Sequence, residues 1–396
     1  MSDTRRAVPW VFPHCPTPPT WRLDWEGILA SFSAVRRLAG CPQDPVYHGE
    51  GDVLAHTELV CRALIASERW RALPPHERSI VFSATLLHDV AKPACTAVEP
   101  DGHISARGHA RRGAQRARLL LWRGDGWEGD RGLETPAVPF EAREAAVALV
   151  RHHGLPLYLL DEPGPRRAVI RVSQTARCDH LAMLAEADVR GRVCADADDL
   201  LARVDLFRDY CREHGCLDRP YAFPSGLSRF AYFHKGQGQE ADPTYDPYDD
   251  TRCEVVLMAG LPGAGKDSWL RTYLPGWPVV SLDALRHDLD VGPRDDQGTV
   301  VAAAREQARV YLREGRSFAW NATNLTRQLR ARLVDRFVDY HARVRIVYVE
   351  APLEEVLRRN RARAGRAQVP EAVIHRFAAH LDVPDLTESH AVEWII

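Results

Sequence analysis

Between Val46 and Cys216 apolar residues recur at three- to four-residue spacing almost without a break. The runs HTELVCRALIA, ERSIVFSATLLHDVAK, GHARRGAQRARLLLW, EAREAAVALVRHH, AVIRVSQTARCDHLAMLAEADVRGR and DLLARVDLFRDYCREH all carry that period, which predicts helices and an all-α domain over residues 46–215. After Thr251 the pattern changes. The short β-rich runs CEVVLMAG, WPVVSLD, SFAWNAT and VRIVYVEAP alternate with helical stretches, which predicts a parallel sheet with crossover helices over residues 252–396. Residues 216–251, with PYAFPSG and ADPTYDPYDDT, are rich in turn formers and aromatics and read as a linker. Residues 1–45, rich in Pro and Trp with one helix expected around Trp25–Leu38, read as an arm packed on the first domain. The expected fold class is multidomain, an all-α N-terminal domain followed by an α/β domain with a parallel sheet.

Composition narrows the function classes. A chain of 396 residues is too long for one ordinary core, and no uninterrupted apolar run approaches the ~18–20 residues that span a bilayer. Prolines interrupt the N-terminus where a secretory signal needs its apolar centre, so a cytoplasmic chain with no membrane contact is expected. The nine Cys include no CxxC pair and read as reduced thiols rather than a disulfide frame or a thiolate zinc site. A net charge of −2 argues against general polyanion binding, so any contact with nucleic acid must come from local basic stripes. Only three of the 52 basic residues are Lys: Lys92, Lys235 and Lys266. Two of these fall in HDVAK and GAGK, positions that call for a compact ammonium rather than a planar guanidinium.

GLPGAGK, Gly260 to Lys266, fits G-x-x-x-x-G-K between a predicted strand and a predicted helix. Gly260, Gly263 and Gly265 let backbone amides wrap phosphates, and Lys266 reaches the outer ones. Asp267 stands where a hydroxyl commonly touches Mg²⁺; a carboxylate can hold that ion directly or through water, with Ser268 the alternative ligand. In VVSLDALRHD, Asp283 falls at the carboxyl end of the next strand, where parallel sheets open their crevice. A carboxylate there can accept a hydroxyl proton and Arg286, one turn on, can hold a phosphate; a helix N-cap is the plainer role for Asp283, and the two are compatible. NATNLTRQLR offers Asn321 and Asn324 to the crevice. LRRNRARAGRAQVP concentrates Arg358, Arg359, Arg361, Arg363 and Arg366, either a solvated face or an arginine lid.

The helical half holds His56, His88, Asp89, His109, His152, His153 and Asp188. Each His alone would read as structural. Asp89 changes that, because an adjacent imidazole and carboxylate in a nearly continuous apolar helix are costly unless paired or metal-bound, and the set suits Mn, Fe, Co, Ni or Zn. Arg107, Arg111 and Arg112 flank His109 as phosphate contacts or solvated side chains. His14, His48, His76, His103 and His180 read as structural or surface residues, with His48, close before the first motif, the nearest exception.

GLPGAGKD, SLDALR, NATN and RRNRARAGRAQVP resemble, in order and spacing, the 5′-hydroxyl polynucleotide kinases over most of residues 253–396. The resemblance implies an NTP donor, ATP or GTP, with Mg²⁺. Lys266 would contact the donor phosphates, Asp283 would be the general base, Arg286 would grip the acceptor's 3′-side phosphate, and Arg363 assisted by Arg359 would stabilise the transferring group. The order H…HD…H…HH…D, carried by LLHDVAK, ARGHARRGA, LVRHH and AEADVRGR, resembles the HD phosphohydrolase superfamily. It implies one or two divalent transition metals (Mn, Co, Ni, Zn or Fe). One would take His56, His88, Asp89 and Asp188. The second would share Asp89 and use His109 with His152, His153 or both, and Lys92 would face the substrate phosphate.

The fusion over about residues 46–396 resembles the bacterial HD-domain polynucleotide kinases, end-healing enzymes for RNA or DNA. Such an enzyme removes a 2′,3′-cyclic, 2′- or 3′-phosphate and phosphorylates a 5′-OH, preparing ends for a ligase. Two other readings stand beside it: a nucleotide-metabolism phosphohydrolase fused to a small-molecule kinase, and a nucleotide-sensing regulatory module. The Arg-rich segment and SLDALR favour a phosphorylated acceptor, and Asp283 favours catalysis over sensing. The sequence carries no signal for an oligomeric state.

Overall fold

Local chemistry sets where the predicted helices start and stop. The computed structural model describes residues 10–123, 138–234, 241–292, 295–363 and 368–396, which leaves Arg366 outside the described residues. The chain divides into two compact units, Met1–Tyr221 and Ala222–Ile396. In the first, α1 (Val53–Ala66), α2 (Pro75–Leu87), α3 (His109–Arg123), α4 (Phe140–His152), α5 (Cys178–Arg190) and α6 (Ala197–Glu213) form the body. The Asp52 carboxylate accepts the Ala55 N–H and so caps α1, while α2 opens on Pro75, whose ring is preset for a first helical position. Helix α2 stops at Leu87, which corrects the expectation of one helix running through HDVAK. His88 and Asp89 lie on the turn that follows, and Lys92–Ala94 forms a short 3-10 turn. The run over residues 168–192 likewise breaks, into Pro165–Ser173 and α5.

Helix α4 packs on α2 and α3, and α5 packs on α1, α2 and α6. The arm closes on this body: Phe12 stacks on Phe32 with ring centroids 5.4 Å apart and tilts against Phe82 of α2.

The second unit holds a five-stranded sheet of β1 (Cys253–Ala259), β2 (Val279–Ser281), β3 (Phe318–Asn321), β4 (Ala342–Val349) and β5 (Ala391–Ile395). Its order is β2-β3-β1-β4-β5, parallel throughout. Val255 to Ala259 are fully buried, as expected of a central parallel strand covered on both faces. The chain lays β2 and β3 on one side of β1 and β4 and β5 on the other, so the order reverses at β1, and the crevice belongs at its carboxyl end. Helix α7 (Lys266–Tyr273) is seated there by Trp269 and Leu270, which join Met258, Val347 and Val349 in one apolar cluster. The edge strand β5 is absent from the sequence expectation. The stretch expected as linker holds a helix, Gly226–His234, that belongs to this unit: Arg229 donates to the Leu386 carbonyl at 2.7 Å and Phe230 stacks on His390 at 4.1 Å. No helix among the described residues is long and apolar enough to cross a membrane.

Arg330 is fully buried and ties this unit together. It donates to both Glu388 carboxylate oxygens at 2.8 Å, to the Asn324 carbonyl at 3.0 Å and to the Asp382 carbonyl at 2.8 Å. Arg330→Met strands a buried carboxylate and should cost about 3–5 kcal/mol, read as a lower urea midpoint for the second unit in the full chain. Arg332→Met, at an exposed position of the same helix, should stay within about 0.5 kcal/mol of wild type.

Candidate functional site

The loop after β1 turns on three glycines with positive φ: Gly260 at +133°, Gly263 at +85° and Gly265 at +116°. A Cβ on Gly260 would strike the Val349 carbonyl oxygen, so the position is closed to other residues both by conformation and by space. Gly265 caps α7 without any side-chain hydrogen bond, which leaves the first amides of the helix to an anion. Lys266 is buried and donates to the carbonyls of Gly260 at 2.9 Å and Leu261 at 2.8 Å. Burial presses its ammonium down to about 8; the carboxylates of Asp267 and Asp283 oppose that shift and Arg363 adds to it, so these three charges all bear on one cation.

Asp267 is exposed, and its Oδ1 accepts the Asn321 amide at 2.6 Å, so it does not cap α7 and pairs with no arginine among the described residues. The Ser268 hydroxyl accepts from Arg271 at 3.2 Å. Helix α8 (Leu282–Asp288) is capped by Ser281, whose Oγ accepts the Ala284 N–H, so Asp283 is not the N-cap. The Asp283 side chain is 91% exposed and pairs with Arg286, whose Nε donates to Gln297 at 2.8 Å. Asn324 departs from the expectation of a crevice residue: at φ +44° it is buried and its amide donates to the Met258 carbonyl at 2.6 Å, which holds the turn against β1.

The arginines divide by partner. Arg358 pairs with Glu355 and Arg361 with Glu371, on the exposed side. Arg359 also meets Glu355 but reaches the loop carbonyls of Gly263 at 3.3 Å and Ala264 at 3.2 Å.

In the first unit the dispersed histidines meet. His88, His109 and His153 each donate Nδ1–H to the carbonyl three residues earlier, at Thr85, Ala106 and Val150, at 2.7–2.8 Å. That fixes the tautomer and leaves Nε2 to face inward, the orientation metal-binding imidazoles adopt. Asp89 lies between the two sets of rings. Its Oδ2 is 3.2 Å from His88 Nε2, 3.9 Å from His56 Nε2 and 2.8 Å from Lys92 Nζ, and its Oδ1 is 3.4 Å from His109 Nε2. His56 Nε2 lies 3.1 Å from Asp188, and His109 and His153 Nε2 atoms are 3.2 Å apart. Among the described residues two groups of donor atoms meet around Asp89, His56 with His88 and Asp188, and Asp89 with His109 and His153. His152 belongs to neither, because one residue along a helical chain turns the side chain by about 100°.

The donor set fits divalent transition metals. His56 Nδ1 and Nε2, His88 Nε2 and Asp89 Oδ1 are buried without a partner in hydrogen-bond geometry among the described residues, a cost a bound cation removes. Burial raises the Asp89 carboxyl, but His88, Lys92 and His109 together hold it well below the usual range. Asp188 is treated the same way by burial against Arg192 and His56. Burial presses His153 down to about 4, keeping it in the neutral form that ligates.

Three residues of this cluster were not singled out from the sequence. Glu50 lies 2.7 Å from His56 Nδ1 and 2.9 Å from His48 Nδ1, which brings His48 to the cluster's edge. Arg192 pairs with Asp188 at 2.6 Å, and its i, i+4 spacing was legible. Gln43, from the arm, accepts from Lys92 at 2.7 Å, a contact no local pattern signals. Of the arginines beside His109, Arg112 donates to the Ala94 carbonyl at 3.1 Å and Arg107 stays exposed, 3.9 Å from Glu99.

A family described as an AAA domain matches residues 255–384, within the second unit. Among solved structures, that of a provisionally assigned kinase from Chloroflexus aurantiacus is 17% identical, covering 37% of this chain and 86% of its own, with a TM-score of 0.32. A comparison with curated proteins finds no match. The family match, the glycine loop and the buried Lys266 at the sheet's reversal point define a P-loop nucleotide-binding domain. Such a domain takes a nucleotide with Mg²⁺.

Proposed function

We propose that this chain is a bifunctional nucleic-acid end-healing enzyme of the HD-domain polynucleotide kinase kind. Its first unit would remove a 2′,3′-cyclic, 2′- or 3′-phosphate, and its second would transfer an NTP phosphate to a 5′-OH of RNA or DNA. The observation that carries this reading is the Asp89 carboxylate set between two groups of inward-facing imidazoles, in the same chain as a phosphate loop followed by an exposed Asp283–Arg286 pair. His56, His88, Asp89 and Asp188 would hold one transition metal and Asp89, His109 and His153 a second; bound there, they would neutralise phosphoester charge and acidify water. Lys92, held by Asp89 and Gln43, supplies a compact cation for the departing phosphate.

In the second unit, Lys266 would exchange its two carbonyl partners for donor phosphate oxygens. Asp283 would take the 5′-hydroxyl proton as the oxygen attacks, and Arg286 would hold the neighbouring acceptor phosphate. Arg363, whose charge bears on Lys266, would stabilise the transferring group, and Arg359, bonded to the loop's own carbonyls, would assist. The products are a 3′-OH and a 5′-phosphate, the ends a ligase joins, so a cytoplasmic ligase is the expected functional partner.

Two incubations test the reading: a 5′-OH oligonucleotide with labelled NTP and Mg²⁺, and an oligonucleotide ending in a 2′,3′-cyclic phosphate with Mn²⁺, Co²⁺ or Ni²⁺. Labelled 5′ ends and released 3′ phosphate are expected. Phosphorylation or hydrolysis of free nucleosides and nucleotides alone would overturn it in favour of nucleotide metabolism, and nucleotide binding without either reaction in favour of sensing.

Asp267 bears on the kinase half. It sits exposed in the first turn of α7, directly after the loop, with Asn321 holding one carboxylate oxygen, so it is the expected ligand for Mg²⁺ or one of its waters. Asp267→Ala should raise the Mg²⁺ needed for half-maximal phosphorylation by about tenfold, with the rate recovering at high Mg²⁺, and Asp267→Ser should keep most of the activity. A shift produced by Ser268→Ala instead would move the role to Ser268.

A further inference from the structure

Three of the nine cysteines meet at one point, two of them five residues apart and the third more distant in sequence. Cys178, Cys211 and Cys216 are all fully buried, and their sulfur atoms lie within 4.8 Å of one another. The way the chain brings them together is local and then tertiary. Helix α6 ends in a turn with Gly215 at φ +64°, where the Cys216 N–H donates to the Cys211 carbonyl at 2.9 Å and the Gly215 N–H to the Arg212 carbonyl at 3.0 Å. This pair of bonds is the Schellman stop, which sets the residue after the glycine against the residue five before it. That contact is ordinarily apolar; here both members are Cys. The third thiol comes from the first residue of α5, and the Asp179 N–H donating to the Leu217 carbonyl at 2.9 Å draws that helix start onto the same turn.

His214, also in the turn, has a buried Nε2 without a hydrogen-bond partner among the described residues. Its ring rests edge-on against Tyr210 with centroids 4.5 Å apart.

Buried cysteines often serve as small apolar residues, but such packing calls for neither three sulfurs in one place nor an unpaired imidazole beside them. We infer that Cys178, Cys211 and Cys216 hold a structural zinc ion as thiolates, with His214 swinging off Tyr210 to complete a tetrahedral Cys₃His set. Each thiol releases its proton to solvent on binding, and no redox partner is involved. The proposed site runs against the sequence expectation of plain reduced thiols, which rested on the lack of a CxxC pair. Its effect is to clamp the end of α6 to the start of α5, the helix that carries Asp188 about 15 Å further along its axis.

The test uses the full chain, purified reduced and loaded with Co²⁺, in wild type and in Asp89→Ala, which separates this site from the imidazole–carboxylate cluster. A near-ultraviolet thiolate-to-cobalt charge-transfer band should appear in both, and Asp89→Ala should keep about one equivalent of tightly held zinc when zinc replaces cobalt. Cys178→Ser, Cys211→Ser and Cys216→Ser should each weaken the band, and His214→Ala should keep it but lose zinc to a chelator at least about tenfold more readily. Absence of the band in reduced wild-type protein, or a Cys–Cys disulfide recovered from that cluster by mass spectrometry, would overturn the site. An unchanged zinc affinity in His214→Ala would overturn the fourth ligand. The wild-type spectrum stands whether or not the serine variants fold.

Discussion

Replacing Asp89 by Ala should abolish release of terminal phosphate and, with it, binding of Mn²⁺ followed by electron paramagnetic resonance, while 5′-phosphorylation persists. Asp89 is the carboxylate common to both imidazole groups, 3.2 Å from His88 on one oxygen and 3.4 Å from His109 on the other. Without it the two groups lose the carboxylate they share, and His109 and His153 keep no anion in their group to balance a metal. Loss of a metal-supported reaction removes several kcal/mol of transition-state stabilisation, so the rate should fall by at least about 10³-fold. Mn²⁺ is the informative probe because imidazole and carboxylate accept it and a thiolate cluster prefers zinc. A folded Asp89→Ala chain that still bound Mn²⁺ at wild-type affinity would sink the assignment. His152→Ala, one position from His153 but outside the donor group, should leave Mn²⁺ binding intact.

Asp283→Ala carries the second large effect, a fall of about 10²–10⁴-fold in kcat for 5′-phosphorylation with phosphate release unchanged. The side chain is exposed and relieved of capping by Ser281, so its removal costs the fold little and the change reads as chemistry. Arg286→Ala should act differently. If it holds the acceptor phosphate, KM for the oligonucleotide should rise more than kcat falls, and the effect should shrink for an acceptor lacking that phosphate. A loss of both reactions in folded Asp283→Ala protein would refute the separation of the two chemistries between the two units.

The phosphate loop was legible because its chemistry is contiguous: seven residues, three of them glycines, follow a buried strand and open a helix, and the φ values then observed are those only glycine tolerates readily. Four of the five strands announced themselves as β-rich runs. The fifth, Ala391–Ile395, is a short edge strand whose pairing with β4 comes from the sheet rather than from its own composition. Asn324 shows the limit of reading a motif as a site, since NATN supplies two amides and the turn buries one of them against Met258.

By itself the sequence determined which groups this protein has to work with: the glycine loop and Lys266, Asp283 and Arg286 one helical turn apart, and a series of His and Asp residues spread over more than a hundred positions. It also determined that one half would be helical and the other a parallel sheet, because both periods are properties of neighbouring residues. The tertiary structure alone decided which of those groups meet. It chose His153 over His152 and added Glu50 and Gln43 to the cluster. It gave Asp267 to Asn321, turned Arg359 onto the loop, and brought Cys178 to the Cys211–Cys216 turn. The physical reason is one of range. Helical period and turn chemistry act over a few residues, whereas the convergence of side chains from α1, α3 and α5 and from the ends of α2 and α4 is fixed by how those helices pack.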